Sequence, residues 1–418
     1  MVIGGGGREN ALTWKIAQSP QVERILVAPG NAGTAAIAEN LSLQATDVEA
    51  LGKAAKREGI DLVVVGPEAP LASGIVDYFD SLGVPIFGST KAATQLESSK
   101  VFARELMQKY GISCPMGVVF SSYPEASEYL NQQRPPIVIK ADGLAAGKGT
   151  IIANSVREAS KALSEIMETK VFGRAGDRVI IDQYVAGREV SLIAFTDGKT
   201  VSPMVPACDY KRIWDGDQGP NTGGMGSYGP PGFFPAELVE KATNTVLLPA
   251  VRAMANEGIT YKGVLYAGLM VTGDKPLVLE FNARFGDPET QVILPLLKTD
   301  LIDILLATIQ GKLHRVNVEW SDDACVGVVM ASAGYPDTYK SGFPIDGLDK
   351  LDEDVLVFHA GTKLGDDGKV YTNGGRVLTV VGTGKNMAEA RAKAYRNLPK
   401  IQFSGCHYRK DIALRETG

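Results

Sequence analysis

Over residues 1–97 short apolar runs alternate with helix-forming stretches, and that alternation restricts this part of the chain to one kind of fold. The strand candidates are MVI at the start, ILVAPG (25–30), DLVVVGP (61–67) and VPIFGS (84–89), with helices expected near 8–18, 47–58 and 71–82. Strands separated by helices pair in parallel, with helices packed on both faces. Glycine turns at the strand ends then gather helix N-termini around one crevice. Gly4 to Gly7 invite a dinucleotide reading, but GxGxxG fits poorly, and Ala28-Pro29-Gly30-Asn31 stands where an acidic residue would hold a ribose. Hydride transfer is therefore disfavoured. An anion site at the helix N-terminus and a purely structural tight turn both stay open.

From about residue 98 to 320 the pattern changes: a helix over 98–110 leads into β-rich sequence dominated by glycine turns. Towards the C-terminus, CVGVVMASAGYP is followed by a hairpin expected across 364–369 and an alanine-rich helix over 386–397. A chain of 418 residues suggests roughly two to four domains. With 44% hydrophobic and 22% charged residues it reads as a globular protein with substantial cores. The net charge of -5 argues against a nucleic-acid binder, which usually presents a basic face. No apolar run approaches the ~20 residues that span a bilayer, and MVIGGGGREN lacks the basic and apolar regions of a signal peptide. Four scattered cysteines without a CxxC pair fit a reducing cytoplasm. With only three histidines, a Cys/His zinc site is disfavoured, so any divalent metal should be a hard ion on oxygen ligands.

Three stretches carry the chemistry. KADGLAAGKGTII (140–152) looks like a phosphate cradle but fails P-loop spacing, because three residues separate Gly143 from Gly147 and Lys148 is followed by Gly149. Ile137, Val138 and Ile139 end on Lys140, and Ile151-Ile152 open another run, which predicts two antiparallel strands joined by a glycine-rich turn. Such a flap closes over phosphates with backbone N–H groups and the charges of Lys140 and Lys148; a mobile hairpin with solvated lysines is the alternative. In PLVLEFNARFGDPET (276–290), alternation places Glu280, Asn282 and Arg284 on one face, with Leu279, Phe281 and Phe285 turned towards a core. A carboxylate, an amide oxygen and a guanidinium on one face suit Mg²⁺ bridging phosphates. An exposed salt-bridged face is the competing reading, weakened because Asn and Glu are poor strand formers. DYKRIWDGDQGPNTGGMGSYGP (209–230) has few apolar residues and is expected to be a structureless loop, for substrate or simply disordered, with Asp209, Lys211 and Arg212 at its start. Lys100, in QLESSK, opens a helix and alone would be an ordinary exposed lysine.

Together these stretches resemble the ATP-grasp superfamily, and within it the phosphoribosylamine–glycine ligases (glycinamide ribonucleotide synthetases). The resemblance runs in order through GGGGREN, APGNAGT, VVGPEAPL, LESSKVF, VIKADGLAAGKG, DGDQGPNTGGMGSY, GVLYAGLM, LEFNARFGDPETQ, FHAGT and TNGGRVL, and covers essentially the whole chain. It implies an α/β (α+β overall) ATP-grasp fold. The expected division is an N-terminal parallel-sheet domain (1–97), a central core (98–117 and 185–318), a flap subdomain (118–184) and a C-terminal α+β domain (319–418).

The resemblance further implies a cytoplasmic ligase of purine biosynthesis, expected to be a monomer, that joins glycine to 5-phosphoribosylamine using ATP through glycyl phosphate. Both nucleophiles then belong to substrates, which accounts for the absence of a Ser/His/Asp constellation. By the same resemblance Lys100, Lys140, Asp142, Gly143, Gly147, Lys148 and Gly149 meet the ATP phosphates, Tyr184 and Val185 the adenine, and Glu189 the ribose hydroxyls. Glu280 and Asn282 hold Mg²⁺ or Mn²⁺. Arg284, Lys148 and Asp209 carry the catalytic roles. Asp209, Lys211, Gly223, Gly224, Met225 and Gly226, with Arg284, bind glycine and the amine, while Gly6, Arg8, Asn31 and Glu68 lie on the ribose-phosphate side. Some positions depart from the family pattern: Asn10 replaces a His, Tyr210 stands where His is common, and Ala283 replaces a frequent Cys. Asp182 and Gln183 occupy the paired-Glu hinge, leaving open which side chain meets the adenine amino group. The first strand also begins a few residues late, which suggests an altered start. A related carboxylate–amine ligase or carboxylase, and a non-catalytic nucleotide sensor, are the competing assignments.

Overall fold

The computed structural model describes residues 1–144 and 149–417. Its first sheet is wholly parallel, in the order Glu39–Asn40, Leu26–Pro29, Val2–Gly4, Val63–Val65 and Ile86–Phe87. Helices cover both faces, so Val2, Ile3, Val27, Ala28, Val63 and Val64 are all buried. The helix expected over 71–82 is two helices, Glu68–Ser73 and Ile75–Leu82, broken at Gly74, whose φ of +90° is left-handed. A second break separates Lys91–Ser98 from Lys100–Tyr110. There Ser99 is extended and its Oγ accepts from Phe102 N at 3.1 Å, an N-cap that starts the helix expected over 98–110.

The expected flap hairpin is part of a four-stranded antiparallel sheet, in the order Gly117–Phe120, Val179–Gln183, Ile137–Ala141 and Thr150–Ala153. It has its own core, in which Ile137, Ile139, Val179 and Ile181 pack on Leu163 and Ile166 of the helix Val156–Met167. A buried charge cluster ties this unit to the helix Lys100–Tyr110. Asp182 accepts from Arg104 Nη2 at 2.6 Å and lies 3.0 Å from Lys140 Nζ, and all three side chains are buried.

The central antiparallel sheet runs Val201–Pro203, Arg188–Thr196, Gly263–Thr272 and Lys275–Asn282. A fourth sheet, of five strands, runs Cys208–Asp209, Gly226–Gly229, Ala324–Ala331, Arg376–Gly384 and Val355–His359. Both ends of the 209–226 stretch are therefore anchored in a sheet built mainly from C-terminal strands. That stretch is not structureless as expected: Arg212–Trp214 pairs with Gln218–Asn221, and Ile213 is buried against Met225 and Ala331. One isoleucine among glycines and aspartates is too thin a pattern to read as a strand. The hairpin expected across 364–369 is formed by Thr362–Leu364 and Val370–Thr372. Among the described residues no helix is long and apolar enough to cross a membrane.

Removing one member of the buried cluster leaves uncompensated charge in the interior. We expect Asp182→Ala to destabilise the chain by about 3–5 kcal/mol, read by urea unfolding; a change below about 1 kcal/mol, the scale of exposed pairs, would show that the cluster contributes nothing to the flap's attachment.

Candidate active site

The flap and the acidic strand meet at Lys140. Its Nζ donates to Leu279 O at 2.8 Å, across the gap between the flap sheet and the strand Lys275–Asn282. The carbonyl is available because the pairing slips: Gly268 pairs with Glu280 but Leu269 with Val278, leaving Leu279 bulged. Strict alternation had put Leu279 on the core side. Instead Val278 is fully buried in that place and Leu279 is half-buried, while Phe281 and Phe285 do face the core. A bulge inserts one residue and resets the pleat, which a period-of-two reading misses.

Glu280 and Asn282 share one side of the strand, and no hydrogen bond from another described residue reaches either side chain. Glu280 lines a narrow cleft together with Glu189, Ser191, Asp209, Lys211 and Leu279. Within it Lys211 Nζ donates to Glu189 Oε2 at 2.5 Å and lies 3.4 Å from Asp209 Oδ1. Lys211 holds the Glu189 carboxyl below its usual range. Burial lifts the Asp209 carboxyl well above its own, against the pull of Lys211. Among the described residues no group of three or more Asp, Glu, His or Cys converges as a ready-made metal site. Glu280 and Asn282 are hard oxygen donors, so they suit Mg²⁺ only with further oxygens from phosphate and water.

Arg284 is held by two other carboxylates. Its Nε lies 3.2 Å from Glu68 Oε2 and 3.3 Å from Glu97 Oε1, and Nη1 donates to Phe285 O at 3.1 Å. Burial raises the Glu97 carboxyl in spite of Arg284. Burial also works on Glu68, but Arg284 and Arg8 outweigh it and keep that carboxyl low. Arg8 joins the same network, donating to Glu9 Oε1 at 2.6 Å and to Phe285 O at 3.0 Å, while Gly6 N donates to Glu9 Oε2 at 2.6 Å. The N-terminal glycine turn is thereby tied to the 280s strand. Asn31 is spent on structure: Oδ1 caps the helix Ala32–Ala35 through Gly33 N and Thr34 N, and Nδ2 reaches the carbonyls of Gly5, Gly6 and His359.

At the base of the flap Lys100 Nζ donates to Gly143 O at 2.9 Å, and burial lowers its pKa while Glu280 opposes that. Asp142 accepts from Ser99 Oγ and Val101 N on one oxygen and from Arg178 on the other. Its carboxylate thus fixes the flap to the start of the helix Lys100–Tyr110. Gly149 O accepts from Ala141 N at 2.8 Å. Gly147 and Lys148 lie outside the described residues. Tyr184 is exposed and Val185 half-buried, directly after the strand Val179–Gln183. Of the hinge pair, Asp182 is engaged by Arg104 and Lys140, and Gln183 is exposed. Asn10 accepts from His359 N at 2.7 Å, joining the first helix to a C-terminal strand.

The 223–226 turn is gripped from two sides. Gly223 N donates to Tyr335 Oη at 2.9 Å, and Gly223 O accepts from Arg376 Nη1 at 2.6 Å. Gly224 has φ +114°, and a Cβ there would lie 2.4 Å from Pro288 Cδ, so only glycine fits. Met225 is buried and Gly226 pairs with Val328, so these two act through packing and backbone. Glu97, Arg376 and Glu289 were not anticipated. Glu289 is buried and accepts from Tyr266 Oη at 2.6 Å and from Ser191 Oγ at 3.1 Å. The one available signal was for Glu97, which follows buried Ala93 by four helical positions and so falls on the inward face.

Three family models match: the phosphoribosylglycinamide synthetase N domain over residues 1–97, its ATP-grasp (A) domain over 98–290 and its C domain over 325–415. A protein named phosphoribosylamine–glycine ligase from Caldanaerobacter subterraneus subsp. tengcongensis is 49% identical over 413 residues, covering 99% of each chain. The chain belongs to the phosphoribosylglycinamide synthetase family. The crystal structure of phosphoribosylamine–glycine ligase from Thermotoga maritima superposes on this synthetase-family chain with a TM-score of 0.85 at 37% identity, over 99% of each chain. A biotin carboxylase from Campylobacter jejuni reaches a TM-score of 0.76 at 14% identity, over 97% of this chain and 92% of its own, and so shares the fold alone. The ATP-grasp architecture expected from sequence is the one found. Residues of all three synthetase domains border the site: Arg8 from the first, Lys140 and Glu280 from the second, Arg376 from the third.

Because Glu97 bonds Ala283 N at 2.7 Å and flanks Arg284, its loss should misplace that guanidinium. We expect Glu97→Gln to lower kcat about tenfold to a hundredfold with KM for ATP little changed. Steady-state kinetics check this, and an unaltered kcat would mean that Glu97 does not position Arg284.

Proposed function

We propose that the chain ligates glycine to 5-phosphoribosylamine at the expense of ATP, giving glycinamide ribonucleotide, ADP and phosphate in purine biosynthesis. Membership of the synthetase family and full-length similarity to proteins named for this reaction support the reading. The observation that carries it is the bond from Lys140 to the carbonyl beside Glu280, which sets a cationic flap against an acidic strand.

In this scheme a glycine carboxylate oxygen attacks the γ-phosphorus of ATP, the bond to the ADP oxygen breaks, and glycyl phosphate forms. The amine nitrogen attacks the acyl carbon, phosphate departs with the shared oxygen, and the nitrogen loses a proton. Positioning and charge neutralisation are what remain for the protein. Lys100 and Lys140 hold phosphate oxygens, Asp142 and Gly143 orient the flap, and Gly147, Lys148 and Gly149 close it and exclude water from the acyl phosphate. Tyr184 and Val185 offer backbone groups to adenine, and Glu189 takes the ribose hydroxyls. Arg284 meets the charge of the acyl phosphate. Lys211 and the turn Gly223 to Gly226 receive glycine and the amine. Asp209 accepts the amine proton, a role suited to a carboxyl raised by burial. Gly6 and Arg8 border the ribose phosphate beside Glu68; Asn31 serves there by holding the glycine turn through Gly5 O and Gly6 O, its own groups being engaged. Glu280 and Asn282 would hold Mg²⁺ or Mn²⁺, which neutralises phosphate charge when bound. We read the working unit as a single cytoplasmic chain.

The test is transfer of label from glycine carrying ¹⁸O in its carboxylate. We expect one labelled oxygen per turnover in the inorganic phosphate; ADP formation with unlabelled phosphate would overturn the acyl phosphate route. Offering bicarbonate in place of glycine should give no amine-dependent ADP, which separates this reading from a carboxylase. Glu280→Ala should abolish Mg²⁺-dependent turnover and leave the unfolding transition unchanged; turnover at the wild-type rate would remove the metal assignment.

A further inference from the structure

The loop proposed to receive glycine and the amine is itself held by the C-terminal segment 406–416. Arg409 lies at the centre of that contact, with its side chain wholly buried. Its Nε and Nη2 donate to the two oxygens of Asp411 at 2.7 and 2.6 Å, and Nη2 lies 3.0 Å from Asp217 Oδ1. Nη1 donates to Arg212 O at 3.0 Å, and the guanidinium carbon stands 4.6 Å from the centroid of the Tyr210 ring. Other bonds repeat the pattern along the segment. His407 Nε2 meets Ile213 O at 2.9 Å, Lys410 N donates to Asp215 Oδ1 at 2.8 Å, Gly216 N to Asp411 Oδ2 at 2.9 Å, and Ala413 N to Tyr210 Oη at 3.0 Å.

Two of the residues Arg409 touches, Tyr210 and Arg212, lie on either side of Lys211. Lys211 is the residue whose ammonium reaches Glu189 and Asp209 in the cleft. Trp214 to Pro220 are exposed and Ile213 is the buried apolar side chain of the hairpin, whose own bonds are the pairing of Arg212–Trp214 with Gln218–Asn221 and those from Thr222 N and Oγ1 to Lys211 O at 2.7 and 2.8 Å. The strap adds to these bonds and fixes the hairpin against the rest of the molecule. A lysine at 409 could not reproduce the contact, because one ammonium cannot present a fork to a carboxylate, a donor to a carbonyl and a flat face to a ring together.

We infer that Arg409 is a positioning residue for the ligation. It clamps Tyr210 and Arg212 so that Lys211 is presented to the cleft, and the segment 406–416 is the strap through which the C-terminal region holds the substrate loop in its working shape. The inference rests on the reading of 209–226 as that loop, and the test keeps the two apart.

The experiment measures KM for glycine, for the amine and for ATP in Arg409→Met, Arg409→Lys and Lys211→Met, beside the thermal transition of each. Loss of hydrogen bonds to a charged group predicts a rise of about tenfold or more in KM for glycine or the amine in Arg409→Met, with KM for ATP within about twofold. Arg409→Lys should restore the thermal transition more fully than it restores KM, an outcome a purely structural role would not produce. Equal changes in all three KM values, or a lowered transition with unaltered KM, would overturn the inference. If Lys211→Met leaves the KM values for glycine and the amine unchanged, the reading of the loop falls; if it raises them and Arg409→Met does not, only the strap falls. Should Arg409→Met fail to fold, the double variant Asp215→Ala, Tyr210→Phe removes loop–strap bonds without disturbing the buried guanidinium. It should raise the same KM by about threefold or more, and no rise would again overturn the proposal.

Discussion

A single ammonium joins the two halves on which the chemistry depends. Lys140 belongs to the flap sheet, yet its charge lies between Asp182 of a neighbouring flap strand and the bulged carbonyl of Leu279 on the central sheet. Burying a cation is costly unless it is paired, and here one ion pair and one hydrogen bond hold the ammonium, whose third N–H is left for a phosphate oxygen. The bulge is what makes the second partner available, because a regular strand would have spent that carbonyl on its ladder. With Lys140 in place, Glu280 lies one residue from the contact and borders the cleft. The register of one strand pair thus sets the distance between cationic flap and acidic strand.

The rest of the molecule gathers around that gap by a different logic. On one flank, carboxylates and guanidinia from the N-terminal domain (Arg8, Glu9, Glu68 and Glu97) lock the strand end that carries Arg284. On the other, Arg376 and Tyr335 hold the glycine turn while Arg409 holds the preceding hairpin. Both flanks are dense in paired charge, and the flap is built around a core of its own. A flap with a separate core suits the proposed reaction, which must admit substrates and then exclude water.

Much of this was legible in the sequence. Apolar runs between helices gave the parallel sheet, and the run Ile137–Ile139 ending on Lys140 marked the flap strand. The motif series, read as a resemblance, reached the family to which the chain belongs. What escaped was whatever long-range contact decides. Gly74 breaks a helix whose apolar periodicity continues through the break. The Leu279 bulge reverses one face of an otherwise correct strand. Ile213 anchors a hairpin in a stretch that reads as loop, since its partners Met225 and Ala331 are distant in sequence. The clamp residues Arg376 and Arg409 carry no local signature, and Glu97 only its place on the inward helix face, for a charged residue buried by pairing looks in sequence like one on the surface.

The most direct measurement is the affinity of Lys140→Met for a non-hydrolysable ATP analogue, taken beside its KM for glycine. A charge-assisted bond to phosphate is worth about 1.5–3 kcal/mol, so the analogue should bind about tenfold or more weakly while KM for glycine stays within about twofold. Unchanged affinity for the analogue would contradict the account, because the cation that bridges flap and strand would then have no part in holding the nucleotide.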